Sequence, residues 1–368
     1  MTDKDKFNDT LKIGLALSGG GTRAGVFHAG ILKALAQRKL LEKISFISSV
    51  SGGSIVIGLI FLYNRYKWPT SQEYLDNIFP KIENYYTQFN LQKEAIIHLL
   101  KSPYRFIKRN LIIRDIFRDI IGITGDLQSL PDYPRWSINA NTFESGKSWR
   151  FSKQRMGDYL IGYVNAPCFP LADAITISAS FPYLIPPYKL DLRKYQWLKY
   201  KSFSSEETTE IDAPMKAIHL QDGGMYENTG VEALFETWPF LLRKEINALI
   251  VSDASAPLHI SYDLFRTRRQ INILAEQVRN LRTRGIISFL LKNPGHGLYL
   301  RLGSKISNSE SNCSRNSLLS NRIDELKKYK TNLSNMPKNV FHLFVKYSEE
   351  LFEFTESQYP LVSERNEE

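Results

Sequence analysis

Leu11 to Leu35 reads LKIGLALSGGGTRAGVFHAGILKAL. The apolar run Leu11 to Leu17 ends in Ser18-Gly19-Gly20-Gly21, and within Ala24 to Leu41 apolar residues return at Val26, Ala29, Ile31, Leu32 and Leu35. That is a strand, a glycine loop and a helix. The pattern then recurs. Ile44 to Val50 is a second β-rich run, it stops at Ser51-Gly52-Gly53, and the apolar stretch Ile55 to Tyr63 follows. Two strand–turn–helix units, each about 30 residues apart, have the size of a βαβ unit and predict an α/β fold with a parallel sheet and right-handed crossovers.

Outward from this core the character changes. Trp68 to Pro134 carries scattered aromatics, among them Tyr85, Tyr86, Phe89, Tyr104 and Phe106, and helix-like stretches, which predict a helical insertion at 67–134. Trp136 to Phe143 and Ser148 to Ser152 read as two strands around the turn Glu144-Ser145-Gly146-Lys147. Leu171 to Ser180 reads as a helix, cut off by Pro182, and the polar stretch Lys194 to Asp212 as a surface loop. Ala217 to Leu220 and Ala248 to Val251 are further strands, with a helix expected over Val231 to Leu242. From Ser261 to Lys305 there are nine Arg/Lys against Asp263 and Glu276. The 3, 4, 3 spacing of Ile271, Leu274, Val278 and Leu281 predicts a helix with its apolar stripe inward and Arg269, Arg279, Arg282 and Arg284 off it. The expected division is a catalytic unit at 8–260 and a basic helical C-terminal extension at 261–368 packed on it.

Composition sets bounds. The chain has 368 residues, 43% hydrophobic and 12% aromatic, enough for a large core and incompatible with a disordered or fibrous protein. Lys and Arg outnumber Asp and Glu by 48 to 38, and the resulting +10 favours anionic partners. Two cysteines, Cys168 and Cys313, give no disulfide framework and no zinc-ligand pair, and both read as core thiols of a reducing compartment. Met1 to Lys12 lacks the apolar run of a signal peptide, so a cytoplasmic protein is expected. The nine-residue run Ile55 to Tyr63 is far short of the roughly 20 residues of a spanning helix, which leaves peripheral membrane association.

Ser51 stands where a strand turns directly into a helix, between Ser49-Val50 and Gly52-Gly53. Small neighbours let such an elbow tighten and a substrate carbonyl approach over Gly52, while the helix N-terminus offers N–H groups to a developing oxyanion. One unit earlier, Gly19, Gly20 and Gly21 leave backbone N–H groups free for an oxyanion or a phosphate, and Arg23 adds charge beside a substrate. A dinucleotide fingerprint also fits Gly19, Gly21 and Ala24, but its acidic residue at the end of the second strand is missing, since Val50 and Ser51 stand there. The six histidines offer no defensible pairing with Ser51. Asp222, delivered by a strand into Gln221-Asp222-Gly223-Gly224, is the better candidate base.

Four blocks in order, LALSGGGTRAG (Leu15 to Gly25), SSVSGGS (Ser48 to Ser54), ISASFPYLIPPY (Ile177 to Tyr188) and QDGGMYENTG (Gln221 to Gly230), resemble the patatin-like phospholipases. The resemblance implies a three-layer α/β/α fold with a mostly parallel central sheet. It also implies a Ser-Asp dyad on Ser51 and Asp222, an oxyanion hole on the backbone of Gly19, Gly20, Gly21 and Thr22, and no cofactor or metal. The activity implied is lipid acyl hydrolysis of the phospholipase A type at an anionic phospholipid surface. An acyltransferase of the same fold and a catalytically silent lipid-binding protein are the alternatives, and no nucleic-acid motif supports a nucleic-acid partner. Ser49, where the elbow motif G-x-S-x-G has glycine, is a departure from the pattern.

Overall fold

In the computed structural model the described residues are 11–361, apart from 183–184, 202–206, 237–238, 256–265, 307–321 and 324. The expectations for the N-terminal decapeptide and for Cys313 lie outside them. Strands β1 (Ile13–Leu17), β2 (Ile44–Ser49) and β3 (Arg135–Thr142) stand side by side. With β13 (Ala248–Asp253) and β14 (Gly297–Arg301) they form a parallel centre in the order β14-β13-β1-β2-β3. Every residue of β1 and β13 is buried, the signature of a parallel strand covered on both faces. The crossover helices α1 (Gly21–Gln37) and α2 (Gly52–Tyr63) follow β1 and β2 as their sequence pattern predicts, and α2 is so apolar because ten of its residues are buried.

Beyond β3 the sheet continues antiparallel through β4 (Ser148–Phe151), β5 (Arg155–Asp158), β6 (Gly162–Asn165), β8 (Trp197–Tyr200) and β9 (Thr208–Ile211). The polar stretch expected to be a loop therefore contains two strands. What holds it is one aromatic anchor: Trp197 is buried 6.1 Å from Trp149, and its indole N–H donates to the Leu192 carbonyl at 2.8 Å. A branch of two strands, β7 (Tyr188–Asp191) and β10 (Ala217–Asp222), joins β3 antiparallel through β10.

The insertion is helical: α3 (Ser71–Glu73) leading into a π-helical turn, α4 (Phe79–Gln88), α5 (Leu91–Lys101) and α6 (Arg109–Asp115). Its Tyr74, Tyr85 and Tyr86 are buried in the main core, and the Tyr74 hydroxyl donates to the Ala29 carbonyl of α1 at 3.0 Å. The predicted helix after β3 and β4 is α7 (Leu171–Ser178).

The described part of Val231 to Leu242 is not a helix. A 3-10 turn, Val231–Ala233, leads into the small hairpin β11 (Phe235–Glu236) and β12 (Leu241–Leu242). The Glu227 carboxylate accepts the amides of Thr229 and, at 2.8 Å, Val231, which fixes this turn instead of a helix start, and Phe235 seals a second apolar cluster with Ile286 and Leu249.

The C-terminal third corrects one further expectation, the direction of an apolar stripe. In α8 (Arg266–Lys292) the stripe faces outward, Leu274 being 66% and Leu281 64% exposed. The inward side instead carries Ile286, the buried Arg279 and Arg282, whose guanidinium donates to Glu232 at 2.6 Å. After it comes strand β14, and α9 (Lys338–Gln358) packs along α1 with Phe341, Phe344, Leu351 and Phe352 in the main core. Cys168 is exposed, so it is not a core thiol.

Leu300, fully buried on β14, tests whether this region is integral. Leu300→Ala should cost about 2–5 kcal/mol by urea unfolding, and a loss below about 1 kcal/mol would show that the edge strand is dispensable.

Candidate active site

The register of β3 brings the two candidate residues together. Its first half pairs with β2, Ser49 lying opposite Ile138, and its second half pairs with β10, Asp222 lying opposite Ala140. Since β2 runs parallel to β3 and β10 antiparallel, their carboxyl ends meet head-on along one edge of β3. Ser51, two residues past the end of β2, and Asp222, the last residue of β10, fall in that gap, and the Ser51 hydroxyl is near enough to the Asp222 carboxylate to lower its pKa.

Ser51 has φ 52° and ψ −115°, a region that non-glycine residues avoid at a cost of about 1–3 kcal/mol. The surroundings impose it. The Val50 amide donates to the Leu17 carbonyl at 3.0 Å, the Gly53 amide returns to Val50 at 2.9 Å, and the Ser51 amide is taken by Ser178 Oγ at 3.0 Å. A Cβ on Gly52 would sit 2.3 Å from the Gly21 carbonyl oxygen, so glycine is what allows the elbow to lie against the glycine loop.

A directed chain of hydroxyls supports the elbow from below. Trp136 Nε1–H donates to Ser49 Oγ at 2.8 Å, Ser49 and Ser54 are linked at 2.9 Å, Ser54 and Ser178 at 2.9 Å, and Ser178 donates to the Asn139 carbonyl at 2.7 Å. Trp136 can only donate and the carbonyl can only accept, so every proton points the same way. Ser49 is therefore no defect of the motif but the second member of this chain. Ser178 and Ser180, whose carbonyl accepts the Asp222 amide at 3.1 Å, hold the two halves of the site, a role sequence reasoning missed. The signal available was their position in the ISASFP block.

Asp222 is 2% exposed, and burial pushes its carboxyl up to about 7, partly offset by the Gly224 amide at 2.7 Å and by the Ser51 hydroxyl. A serine hydroxyl beside a carboxylate of that basicity can hand over its proton near neutrality. None of the described histidines hydrogen-bonds either residue. His28 is buried, its Nε2–H directed at the Ser18 carbonyl at 2.8 Å and its Nδ1 at the Ser252 hydroxyl at 2.7 Å, and burial holds it neutral with a pKa near 4. His219 pairs with Glu144 and His342 with Glu83 at the surface.

In the glycine loop the Gly19 amide is bound by the Asn228 carbonyl at 3.0 Å and the Thr22 amide by the Asn332 carbonyl at 2.9 Å. Among the described residues the Gly20 and Gly21 amides have no protein acceptor, and they cap α1 at the edge of the elbow. Gly20 and Gly21 have φ 143° and 60°, values that only glycine adopts without strain. Arg23, expected to contact substrate, is instead 2% exposed. Its guanidinium donates to the carbonyls of Ala254 at 2.9 Å and Tyr329 at 3.1 Å, and burial lowers its pKa to about 10. It braces the loop from behind.

Fold and site together define an α/β protein with a serine on a strained strand-to-helix elbow, a buried carboxylate in reach and free amides at a helix start. The chain belongs to the patatin-like phospholipase family, whose model matches residues 15–235. Among solved structures it is similar to human GIVD cytosolic phospholipase A2 at 15% identity and a TM-score of 0.56, covering 97% of this chain and 60% of that one. The same enzyme in complex with methyl gamma-linolenyl fluorophosphonate inhibitor and terbium chloride matches at 12% identity and TM-score 0.51, covering 97% and 59%. The chain thus spans about 60% of the length of that phospholipase. No curated protein sequence matches it.

Because the folded state raises Asp222 from its ordinary 3.8 to about 7, it binds a proton that the unfolded chain has released in that interval. Asp222 therefore favours folding fully below pH about 4 and loses that contribution as pH rises to about 7. The stability of Asp222→Asn relative to wild type, from urea midpoints, should rise across this window and level off above it. A difference independent of pH would rule out the buried, raised carboxyl.

Proposed function

We propose that this protein is a lipid acyl hydrolase of the phospholipase A type that cleaves carboxylic esters of membrane phospholipids. The observation that carries the reading is Ser51, on a strained backbone, beside a buried Asp222 of raised pKa. Ser51 Oγ attacks the ester carbonyl while its proton passes to Asp222. The carbonyl oxygen, now negative, is received by the amides of Gly20 and Gly21, which point from the start of α1. The tetrahedral adduct collapses, the C–O bond of the ester breaks, and Asp222 returns the proton to the departing lysophospholipid alcohol. Water, deprotonated by Asp222, then attacks the acyl carbonyl, the bond to Ser51 Oγ breaks as Asp222 returns the proton to that oxygen, and the fatty acid leaves. Each proton and oxyanion is served by the chain's own groups, so the proposed reaction needs no cofactor.

A peripheral membrane surface is supported by the outer edge of the insertion. Across α5 and the turn Pro103–Lys108, Leu100 is 75%, Tyr104 84% and Ile107 80% exposed, with the exposed Lys101 and Lys108 among them. Apolar tips between cations suit the boundary of an anionic bilayer. Arg105 is not one of these free cations, since it is bound to Asp115 at 2.6 Å. No helix among the described residues is long and apolar enough to cross a membrane.

Ser51→Ala should lower ester hydrolysis by several orders of magnitude with the fold intact by circular dichroism, and residual turnover within about tenfold of wild type would refute the nucleophile. For wild type, kcat/KM should climb about tenfold per pH unit below about 7 and level off above it, because the base must be ionised. A profile flat from pH 5 to 8 would exclude Asp222 as base. Tyr104→Ser with Ile107→Ser and Lys108→Glu should weaken co-sedimentation with phosphatidylglycerol vesicles while sparing hydrolysis of a soluble short-chain ester. Unchanged vesicle binding would place the membrane face elsewhere.

A further inference from the structure

The segment Asn332 to Met336 crosses the glycine loop in irregular backbone between Lys328 and α9. It is held at both sides. On the loop, the Asn332 carbonyl accepts the Thr22 amide at 2.9 Å and the Ser334 carbonyl accepts the Thr22 hydroxyl at 2.9 Å. On the insertion, Gln92 N–H donates to the Leu333 carbonyl at 3.1 Å, Asn90 Nδ2 to Asn335 Oδ1 at 2.9 Å, and Met336 N–H to the Tyr86 carbonyl at 2.7 Å. Under this bridge lies an apolar cleft lined by Gly21, Ile55, Tyr85, Phe89, Leu91 and Leu333. Ile55 sits one helical turn below Ser51, its amide donating to the Ser51 carbonyl at 3.0 Å, so the cleft opens beside the elbow.

The cleft has about 10 Å³ of space that a water-sized sphere can occupy, room for little more than one water. Sites that take a small organic molecule typically need roughly 300–1,000 Å³. Of the walls, α1, α2 and α4 are regular helices packed in the core and α5 is a regular helix anchored by the buried Leu91, whereas the bridge has no ladder of its own and only side-chain and end-of-helix partners, the kind of segment that opens first.

We infer that Asn332 to Met336 is a strap that closes the acyl side of the site and parts to admit a long acyl chain. This rests on the ester-hydrolase reading above. Leu333 is the closing wall, and parting the strap both widens the cleft and frees the Thr22 amide beside those of Gly20 and Gly21. A short acyl group reaches Ser51 without moving the strap, so strap mobility sets chain-length preference.

Two variants test this on p-nitrophenyl butyrate and p-nitrophenyl dodecanoate. Gln92→Cys with Ser334→Cys puts thiols on the two side chains whose tips, Ser334 Oγ and Gln92 Oε1, meet at 3.1 Å, and wild type controls for the two native cysteines. When oxidised, this protein should lose about tenfold or more in kcat/KM on the dodecanoate, keep the butyrate value within about twofold, and recover on reduction. Leu333→Ala with Asn335→Ala, which loosens the strap, should raise the dodecanoate-to-butyrate ratio about threefold or more, and it decides alone if the disulfide does not form. A ratio unmoved in the loosened protein, or both esters falling together in the locked one, overturns the strap while leaving the hydrolase reading intact. Failure of wild type to turn over either ester overturns the hydrolase reading, and the strap's role with it.

Discussion

The site depends on one feature of the sheet: a single strand, β3, pairs along the same edge with two strands that approach each other end to end. Parallel β2 stops at Ser49 and antiparallel β10 stops at Asp222, two β3 positions further on. That places a strand-to-helix elbow and a strand-end acid facing each other across the gap between two strand ends, both on backbone ladders that cannot slide without breaking register. Neither residue needs a long side chain to reach the other. A serine and an aspartate, the shortest members of their classes, suffice.

Burial does two opposing things in this gap. It raises the basicity of Asp222 by withdrawing water from its charged form, and it removes the solvent that would satisfy the polar atoms around it. The structure meets the second demand with a chain of hydroxyls, from Trp136 through Ser49, Ser54 and Ser178 to the Asn139 carbonyl, and on the other side with the Gly224 amide donating to the carboxylate and Ser180's carbonyl accepting the Asp222 amide. The strained backbone of Ser51 is sustained by the same neighbours, since Ser178 holds its amide and the bare Cα of Gly52 lets the glycine loop close on it.

Distance from the centre changes what each segment does. Arg23 is adjacent to the glycine loop in sequence yet points its guanidinium into the interior, where carbonyls of Ala254 and Tyr329 take it. Through these contacts and those of Asn332, the C-terminal third reaches the site that the first 230 residues build. The same third supplies β14 and α9 to the core, so it is part of the architecture and not an appendage.

The two βα units, the glycine loop, the elbow serine and the strand-end aspartate were legible in the sequence, because each is set by local physics: a run of apolar residues, a glycine that alone tolerates positive φ, a turn that ends a strand. What was misread follows from long-range partners. Val231 to Leu242 has the composition of a helix, but Glu227 captures the amides that would begin one. The 3-4-3 stripe of α8 is a sound amphipathic pattern whose orientation was decided elsewhere, by the pairing of Arg282 with Glu232 and by Ile286 docking on Phe235's cluster. Trp197 turns a polar stretch into strands by burying one ring. The sequence by itself singled out Ser51 and Asp222 as the candidate pair. Only the tertiary structure decided that Arg23 braces and does not bind, that Ser49 is a relay and not a lapse, and that Asn332 lies over the loop, because each depends on a partner 87 to 310 positions away along the chain.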